Sequence, residues 1–402
     1  HNILFFTKPY KQGEPHMELN WKRHLLLASA ACSSLFISTH AAGDYSMSSD
    51  HGSMCDTSCD TPPAGQIMTD YREITPPAGP GVCDGSDLSI TGTFIWWNAR
   101  QEGLAYAAKN IRTISAASAG VDSGAVSHAF ESWDPGFKVG VGYNLPHDGW
   151  DIYTEYTWLR SKQDSAISEQ RENIATIMPM WNIGRSFNVY GRSGQVGIED
   201  RVVNAAGNWS NRLNVVDFEI ARNFFVSQYL SVRPFWGLKG TWQKSNYTVR
   251  YDQVADSGAI VQSRMRNNQD YWGIGLRTGL NGTLHLTDCF SIYGSGALSA
   301  LWSSFDVTRR DQQTPDVRLT DINNQTLFAT NNSFYMAKAV LEGELGLRYE
   351  MWFSNDEYHF AVDVGYEQQI WLGHNNLFHF FEESAHGDMS YMGLNVALRF
   401  DF

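Results

Sequence analysis

Residues 389–402 read MSYMGLNVALRFDF, and every second residue of this stretch is apolar. The residues between them are small or polar, so the segment has one apolar and one polar face with the period of a β-strand. The apolar positions are Met392, Leu394, Val396, Leu398, Phe400 and Phe402. A tilted strand crosses a bilayer with about 9–11 residues. We therefore predict a C-terminal barrel strand, with a strand of a soluble sandwich as the alternative.

The composition of the 402-residue chain fits this prediction and excludes one class of function. Aromatic residues are abundant, with 14 Trp, 18 Tyr and 22 Phe, and such rings suit the two girdles at the membrane interfaces. The formal net charge of −13 argues against nucleic-acid binding, which requires a basic surface. No interior stretch has 18 uncharged apolar residues, so no helix of the mature protein is expected to span a membrane.

The N-terminal region has the pattern of an export signal. Lys22, Arg23 and His24 precede a short apolar core at residues 25–37, followed by small residues suited to cleavage near Ala41. We predict that residues 1–41 are a secretory signal peptide, with Met17 as the start and residues 1–16 as an upstream extension.

The next segment, residues 42–87, differs in composition from the rest of the chain. It is rich in Ser, Asp, Pro and Gly, and it repeats Thr-Pro-Pro-Ala-Gly at residues 61–65 and 75–79. Such a segment buries little apolar surface, so we predict an extended periplasmic tether that precedes a barrel domain at residues 88–402.

Four cysteines belong to the exported part of the chain, and an oxidising compartment makes disulfides the default expectation. They are Cys55, Cys59, Cys83 and Cys289. Pairing within the chain and pairing between chains both remain open. A metal site at Cys55 and Cys59 with His51 is a weaker alternative, because no second ligand pair follows at metal-like spacing.

From Leu88 onwards the chain contains ten segments of alternating apolar and polar residues. They cover residues 88–96, 137–145, 152–158, 216–224, 230–242, 271–286, 290–302, 337–349, 360–370 and 389–402. The sequence predicts an all-β fold, an antiparallel transmembrane β-barrel of about ten strands. A hairpin hidden in a long loop would raise the number to twelve or more. Pro234 cannot donate to a ladder, so a bulge is predicted there.

The connections between these segments alternate strictly between short and long. The short ones are residues 146–149, 226–229, 287–289 and 354–357, and the long ones are residues 98–135, 160–211, 243–270, 306–333 and 373–388. Outer-membrane barrels have short periplasmic turns and long external loops, whereas a soluble sandwich has no reason to sort its loops in this way.

The polar faces of the strands carry charged residues of both signs, which are the predicted lining of the lumen. They are Lys138, Glu155, Asp217, Glu219, Arg233, Lys239, Arg277, Lys338, Glu342, Glu344, Arg348, Asp363 and Glu367. If these groups are hydrated, they line an aqueous pore whose selectivity follows their net charge. If they pair with one another, they plug the barrel, because a barrel of about eight strands is filled by its own side chains.

Known catalytic and metal-binding motifs are absent, so no catalytic residue, cofactor or metal is predicted. The last external loop contains His374, His379 and His386 together with Glu382, Glu383 and Asp388, so a barrel hydrolase stays an alternative. A solvated polar loop is the preferred interpretation. Pro, Asp and Gly at residues 146–149 are explained by turn geometry.

Several strand and turn segments resemble the Legionella-type pore-forming outer-membrane protein family, which includes porins of Chlamydia-related bacteria. They are residues 134–143, 146–151, 230–235, 350–353 and 398–402. The resemblance covers roughly residues 88–402 and implies a bacterial outer-membrane porin. It transfers no individual functional residue.

The predicted function is thus passive diffusion of ions and small solutes through a charged lumen, without enzymatic activity. The alternative is a structural or adhesive envelope barrel with a plugged lumen and a disulfide-linked tether. Expected partners are outer-membrane lipid, the barrel-assembly machinery, and further copies of the chain or disulfide-linked envelope proteins.

Overall fold

The computed structural model describes residues 78–82, 85–109, 125–129, 132–145, 149–168, 177–183, 200–255, 260–314, 325–354, 357–379 and 387–402. The predicted signal peptide and most of the predicted tether lie outside these residues. The strands in the described part are β1 (Leu88–Gln101), β2 (Ala105–Lys109), β3 (Ala125–His128), β4 (Trp133–Asn144), β5 (Trp150–Ser168), β6 (Ile177–Pro179), β7 (Asp200–Arg222), β8 (Phe224–Ser227), β9 (Leu230–Ala255), β10 (Ile260–His285), β11 (Phe290–Thr314), β12 (Gln325–Phe353), β13 (Tyr358–Trp371) and β14 (Met389–Asp401).

Ten of these strands form a closed antiparallel ring. The order around the ring is β1, β4, β5, β7, β9, β10, β11, β12, β13 and β14, and β14 pairs with β1. Each strand of the ring thus pairs with a neighbour on both sides, which is what a sheet surrounded by lipid requires. The ring confirms the predicted all-β barrel and its ten strands. None of the described residues forms a helix long and apolar enough to cross a membrane.

The seam between β1 and β14 is continuous in register. Phe94 lies opposite Val396, and Trp96 lies opposite Leu394. At its lower end the backbone N–H of Leu88 donates to the carbonyl of Phe402 at 3.1 Å, and the Phe402 N–H donates back at 3.0 Å. The stretch that predicted the fold is therefore the strand that closes it.

The outer face of the ring is apolar over a band next to the short turns. Leu276 is 71% exposed and Leu345 is 65% exposed, as expected for lipid-facing positions of a barrel strand. The band ends in aromatic rings, including Trp158, Trp242 and Trp272. Because side chains alternate between the faces of a strand, the residues between these outward positions point into the barrel.

Four neighbouring strands are much longer than a bilayer requires. Strands β9, β10 and β11 have 26, 26 and 25 residues, and β12 has 29, which corresponds to about 95 Å at 3.3 Å per residue. They extend past the aromatic rings on the side opposite the short turns. The structure thereby corrects the predicted long connections at residues 243–270 and 306–333, because most of these residues continue the strands.

A small second sheet, in the order β3, β2, β6, is formed by residues that belong to two of the predicted long connections. Ala107 of β2 lies opposite Ser127 of β3 and Pro179 of β6. None of these strands joins the ring, so the local hairpin does not raise the strand number of the barrel.

Pro234 lies at a break between neighbouring strands. Pairing of β7 with β9 stops at Phe235, and pairing of β8 with β9 starts at Val232. Pro234 therefore needs no backbone donor on that side, and a gap replaces the predicted bulge. The short turn before β5 contains Gly149 at φ +68°, a conformation that favours glycine.

Candidate functional site in the barrel interior

The half of the interior next to the short turns contains a network of charged side chains, which we call the charge network. It consists of inward-pointing residues of β4, β5, β7, β9, β10, β12 and β13. Its members are Lys138, Asp151, Glu155, Asp217, Glu219, Arg233, Lys239, Arg277, Glu342, Glu344, Arg348, Asp363 and Glu367. Twelve of the thirteen residues predicted to line the lumen are among them.

Lys239 lies at the centre of this network and is fully buried. Its Nζ contacts Asp217 Oδ1 at 2.8 Å and Glu342 Oε1 at 2.7 Å. The second carboxylate oxygen of Glu342 accepts from Arg277 Nη2 at 2.7 Å, and Arg277 also binds Glu219. Desolvation of so many charges is costly, and these mutual contacts offset that cost.

Two further arginines extend the network towards the short turns. Arg233 joins Asp151, at 2.5 Å, to Glu219, at 2.9 Å. Arg348 binds Asp363 through Nε at 2.7 Å. The planar guanidinium group suits such two-sided contacts, because it presents several donors in a fixed geometry.

A third part of the network is rich in carboxyl groups. Lys138 Nζ contacts Glu367 Oε2 at 2.7 Å and Glu155 Oε1 at 3.5 Å. Glu344 accepts from the hydroxyl of Tyr293 at 2.9 Å and from Asn395 Nδ2 at 3.1 Å. The Lys138 ammonium group thus interacts electrostatically with three glutamates, Glu155, Glu344 and Glu367.

The charge network surrounds a cavity of about 470 Å³, which we call the chamber. Its lining includes eight carboxyl groups and five basic side chains. On the side of the short turns, Gly79, Pro80 and Gly81 of the segment before β1 also line it. That segment is held there by hydrogen bonds from Ala78 N to the Asn223 carbonyl and from Asn144 Nδ2 to the Pro80 carbonyl, both 3.2 Å long.

The other half of the interior is packed with apolar and aromatic side chains. Strand wall residues such as Trp209, Tyr247 and Phe305 are buried against residues from the external connections. We call those inserted residues, 104–109 and 177–183, the external plug. Tyr251 Oη donates to the Tyr106 carbonyl at 2.5 Å, and Trp181 Nε1 donates to the Ala105 carbonyl at 2.8 Å. The external plug therefore fills part of the described lumen above the chamber.

Two sets of charged side chains in this apolar half lie apart from the charge network. Arg309 and Asp311 form a fully buried ion pair at 2.9 Å, which the alternation pattern did not single out. Lys338, predicted to line the lumen, lies apart from the charge network. Its Nζ donates to the carbonyls of Leu372, at 3.3 Å, and Gly373, and it lies 5.2 Å from the centre of the Phe305 ring.

The histidines of the last external loop take part in aromatic packing. His374 is buried against the rings of Tyr271 and Trp371, at centroid distances of 4.6 and 5.8 Å. His379 lies 4.9 Å from the Trp181 ring. Burial lowers the pKa of His374 to about 3, and the Lys338 ammonium acts in the same direction. Glu382, Glu383 and His386 lie outside the described residues, so this loop cluster is described only in part.

The lowered pKa of His374 predicts a pH-dependent stability. The unfolded state binds a proton near pH 6.5, whereas the folded state binds it only near pH 3, so stability is lost as the pH falls below about 6.5. At pH 5 the loss attributable to His374 is about 2 kcal/mol. Urea unfolding in lipid vesicles at pH 7 and pH 5 should show that His374→Phe removes this part of the slope. His128→Phe, at an exposed position, should leave the slope unchanged; equal slopes for all three proteins would contradict the prediction.

The cysteines are only partly described. Cys289 lies in the turn between β10 and β11, where its carbonyl accepts from Glu350 N at 2.8 Å. Cys55, Cys59 and Cys83 lie outside the described residues, so the predicted disulfides stay predictions. Among the described residues, no group of three or more His, Cys, Asp and Glu side chains is arranged to hold a metal ion.

A closed antiparallel ring with a lipid-facing apolar band and a charged interior defines an outer-membrane β-barrel protein. Residues 80–402 match the model of the family described as Legionella pneumophila major outer membrane protein precursor. The chain belongs to this family and is a protein of the bacterial outer membrane. A search of curated proteins finds no match to the sequence.

Solved structures that resemble the chain include outer-membrane proteins of different kinds. The outer membrane protease OmpT from Escherichia coli is 10% identical, with a TM-score of 0.35 over 81% of this chain and 100% of its own. The attachment invasion locus protein Ail of Yersinia pestis is 8% identical, with a TM-score of 0.23 over 78% of this chain and 99% of its own. A Pseudomonas aeruginosa FadL homologue is 8% identical, with a TM-score of 0.22 over 78% of this chain and 89% of its own.

Proposed function

We propose that this protein is a narrow porin that passes small ions and solutes, with a preference for cations. The observation that carries the proposal is the chamber of about 470 Å³ inside the membrane-spanning half of the barrel. Charged groups lining a lumen are stable there when they are paired or hydrated, and the chamber offers room for water. The external plug makes the described conformation a closed one.

The proposed cation preference follows from the lining of the chamber. Eight carboxyl groups face five basic side chains, so the field inside the chamber attracts cations. The basic groups are all engaged with carboxylates, as in the contact of Lys138 with Glu367. An entering cation would therefore meet the surplus acidic groups around Glu155 and Glu344.

Removing two of these acidic groups should weaken the preference. A unit charge acts on an ion about 8 Å away in water with roughly 0.5 kcal/mol, which is about twofold in permeability for each charge. We expect Glu155→Gln combined with Glu344→Gln to lower the cation-to-anion permeability ratio by about fourfold, measured as the reversal potential in a salt gradient across a planar bilayer.

The control for this experiment is Asp164→Asn, because Asp164 lies exposed on the external outer wall, bound to Lys162. It should leave the permeability ratio unchanged. An unaltered ratio in the double variant would show that ions do not pass through the chamber. If neither the wild-type protein nor a variant with an opened external plug shows conductance steps, the porin proposal is wrong.

A structural envelope barrel is the second candidate, and the packed external half of the interior favours it. An ion-paired chamber beneath an apolar plug is also what a barrel selected for rigidity would contain. The two candidates differ in conductance, which only the porin has. Disulfide links through the predicted tether belong to this second candidate, and non-reducing gels of intact envelopes would reveal them.

We also propose that the protein is not an enzyme. The support is the packing of His374 and His379 against the rings of Tyr271 and Trp181, which indicates a structural role for both histidines. The comparison to make is between the wild-type protein and His374→Ala with His379→Ala on lipid and peptide substrates. Hydrolysis by the wild-type protein that the double variant lacks would overturn this part of the proposal.

A further inference from the structure

Three basic side chains form a row on the outer face of the barrel, immediately beyond the aromatic end of the lipid-facing band. We call Arg160, Arg212 and Lys244 the basic row. Arg160 of β5 lies directly opposite Arg212 of β7, and Arg212 lies directly opposite Lys244 of β9. All three side chains are exposed, and their neighbours along each strand point inwards.

The position of the basic row relative to the membrane is set by the next row of residues. Two residues closer to the short turns, Trp158 lies opposite Asn214, Asn214 opposite Trp242, and Trp242 opposite Trp272. Tryptophans on three of these four neighbouring strands mark the level at which the acyl chains meet the lipid headgroups. The basic row therefore lies one side-chain step, roughly 7 Å along the strands, on the outer side of that level.

Like charges that face one another across neighbouring strands are destabilising unless something neutralises them. Lys244 has a partner, because its Nζ lies 3.3 Å from Asp270. Within the described residues, no carboxylate forms an ion pair with Arg160 or Arg212. The sheet therefore holds two guanidinium groups side by side at headgroup level, where an anion would remove their repulsion.

We propose that the basic row binds the phosphate group of an anionic lipid in the outer leaflet of the membrane. A guanidinium group binds phosphate through two parallel hydrogen bonds, and two adjacent ones match the oxygen-rich face of a phosphate. A lipid is favoured over a free phosphate ion because the tryptophans below the row are placed where they would contact the acyl part of the same molecule. This inference is independent of the proposed porin function.

The experiment compares variants in vesicles of phosphatidylcholine with and without phosphatidic acid. The readout is the temperature at which the folded, fast-migrating gel band is lost. Wild-type protein should melt at a higher temperature as phosphatidic acid is added. For Arg160→Gln combined with Arg212→Gln, the phosphatidic acid content that gives half of this shift should be roughly tenfold higher, because charge-assisted hydrogen bonds are lost. In pure phosphatidylcholine this variant should be at least as stable as the wild type.

Two further variants serve as controls. Arg266→Gln also removes one member of an in-register arginine pair, because Arg266 lies opposite Arg310, but it lies six residues beyond Trp272 and away from the headgroups. It should respond to phosphatidic acid like the wild type. Arg212→Lys keeps the charge but not the paired donors, and its response should fall between those of the wild type and the double variant.

Two outcomes would overturn the proposal. The first is an equal response of the wild type and the double variant to phosphatidic acid, which would show that the basic row does not contact the lipid. The second is an equal stabilisation by inorganic phosphate in pure phosphatidylcholine vesicles, which would assign the site to a free anion.

Discussion

Replacement of Lys239 by methionine is expected to destabilise the barrel by about 3–5 kcal/mol, the cost of removing one partner from a buried ion pair. The side chain is fully buried and contacts both Asp217 and Glu342. Methionine fills a similar volume, so the loss reports on the charge and not on a cavity. The free energy of unfolding, measured by urea titration in phosphatidylcholine vesicles, is the quantity to compare.

The matched control is Lys162→Met, because Lys162 is a lysine with one carboxylate partner, Asp164, on the exposed outer wall. An exposed pair of this kind contributes little, so this variant should change stability by less than about 1 kcal/mol. Adding Glu342→Gln and Asp217→Asn to Lys239→Met should recover much of the loss. Equal effects of the Lys239 and Lys162 variants would mean that the charge network is hydrated and not desolvated.

Opening the external plug should have the largest effect on conductance. We expect Tyr106→Ala combined with Trp181→Ala to produce frequent, severalfold larger single-channel steps than the wild type in planar bilayers. Tyr106 is fully buried and bonded to Ser165 at 2.8 Å, and Trp181 packs against Tyr247 at a centroid distance of 5.6 Å. Removing both rings would leave a void in the packed half of the interior, between the chamber and the external side.

The control for the opened variant is Trp236→Ala, which removes an equally large ring from the lipid-facing surface, where Trp236 is 58% exposed. Its conductance should equal that of the wild type. The proposed closure by the external plug is wrong if the opened variant conducts like the wild type while remaining folded. Folding is checked by the fast-migrating gel band, since loss of a buried tryptophan costs about 3–5 kcal/mol.

The membrane-spanning part of the fold could be predicted from alternation alone, because lipid outside and charge inside give the two faces opposite character. The external extensions of the strands could not be predicted in this way. Beyond the aromatic rings the inward face becomes apolar and the outward face polar, so the alternation changes phase. On β9, the apolar residues Trp236, Leu238 and Trp242 point outwards, whereas Tyr247 and Tyr251 point inwards. This change of phase is a signal in the sequence, and it marks the end of the lipid-facing band.

The candidate site was predictable to a similar extent. Charged residues in the inward phase of a membrane strand can only face the lumen, which is why sequence alternation identified nearly all of the charge network. Whether they pair or line open water depends on distances across the barrel, between strands such as β7 and β12 that are far apart in sequence. The external plug could not be predicted from the sequence for another reason, because residues 104–109 are too few to show a periodic pattern.

The seam has a consequence for how the chain is assembled. Ser86 donates to the carbonyl of Phe402, a partner 316 residues away, and every contact between β1 and β14 is similarly remote. No part of this seam can form from residues close in sequence. The barrel therefore stays an open sheet with two unpaired edge strands until β1 and β14 meet. Until then, the unpaired edges of β1 and β14 can each pair with a strand of another chain. Assembly of this protein therefore requires that both edges are protected from such pairing.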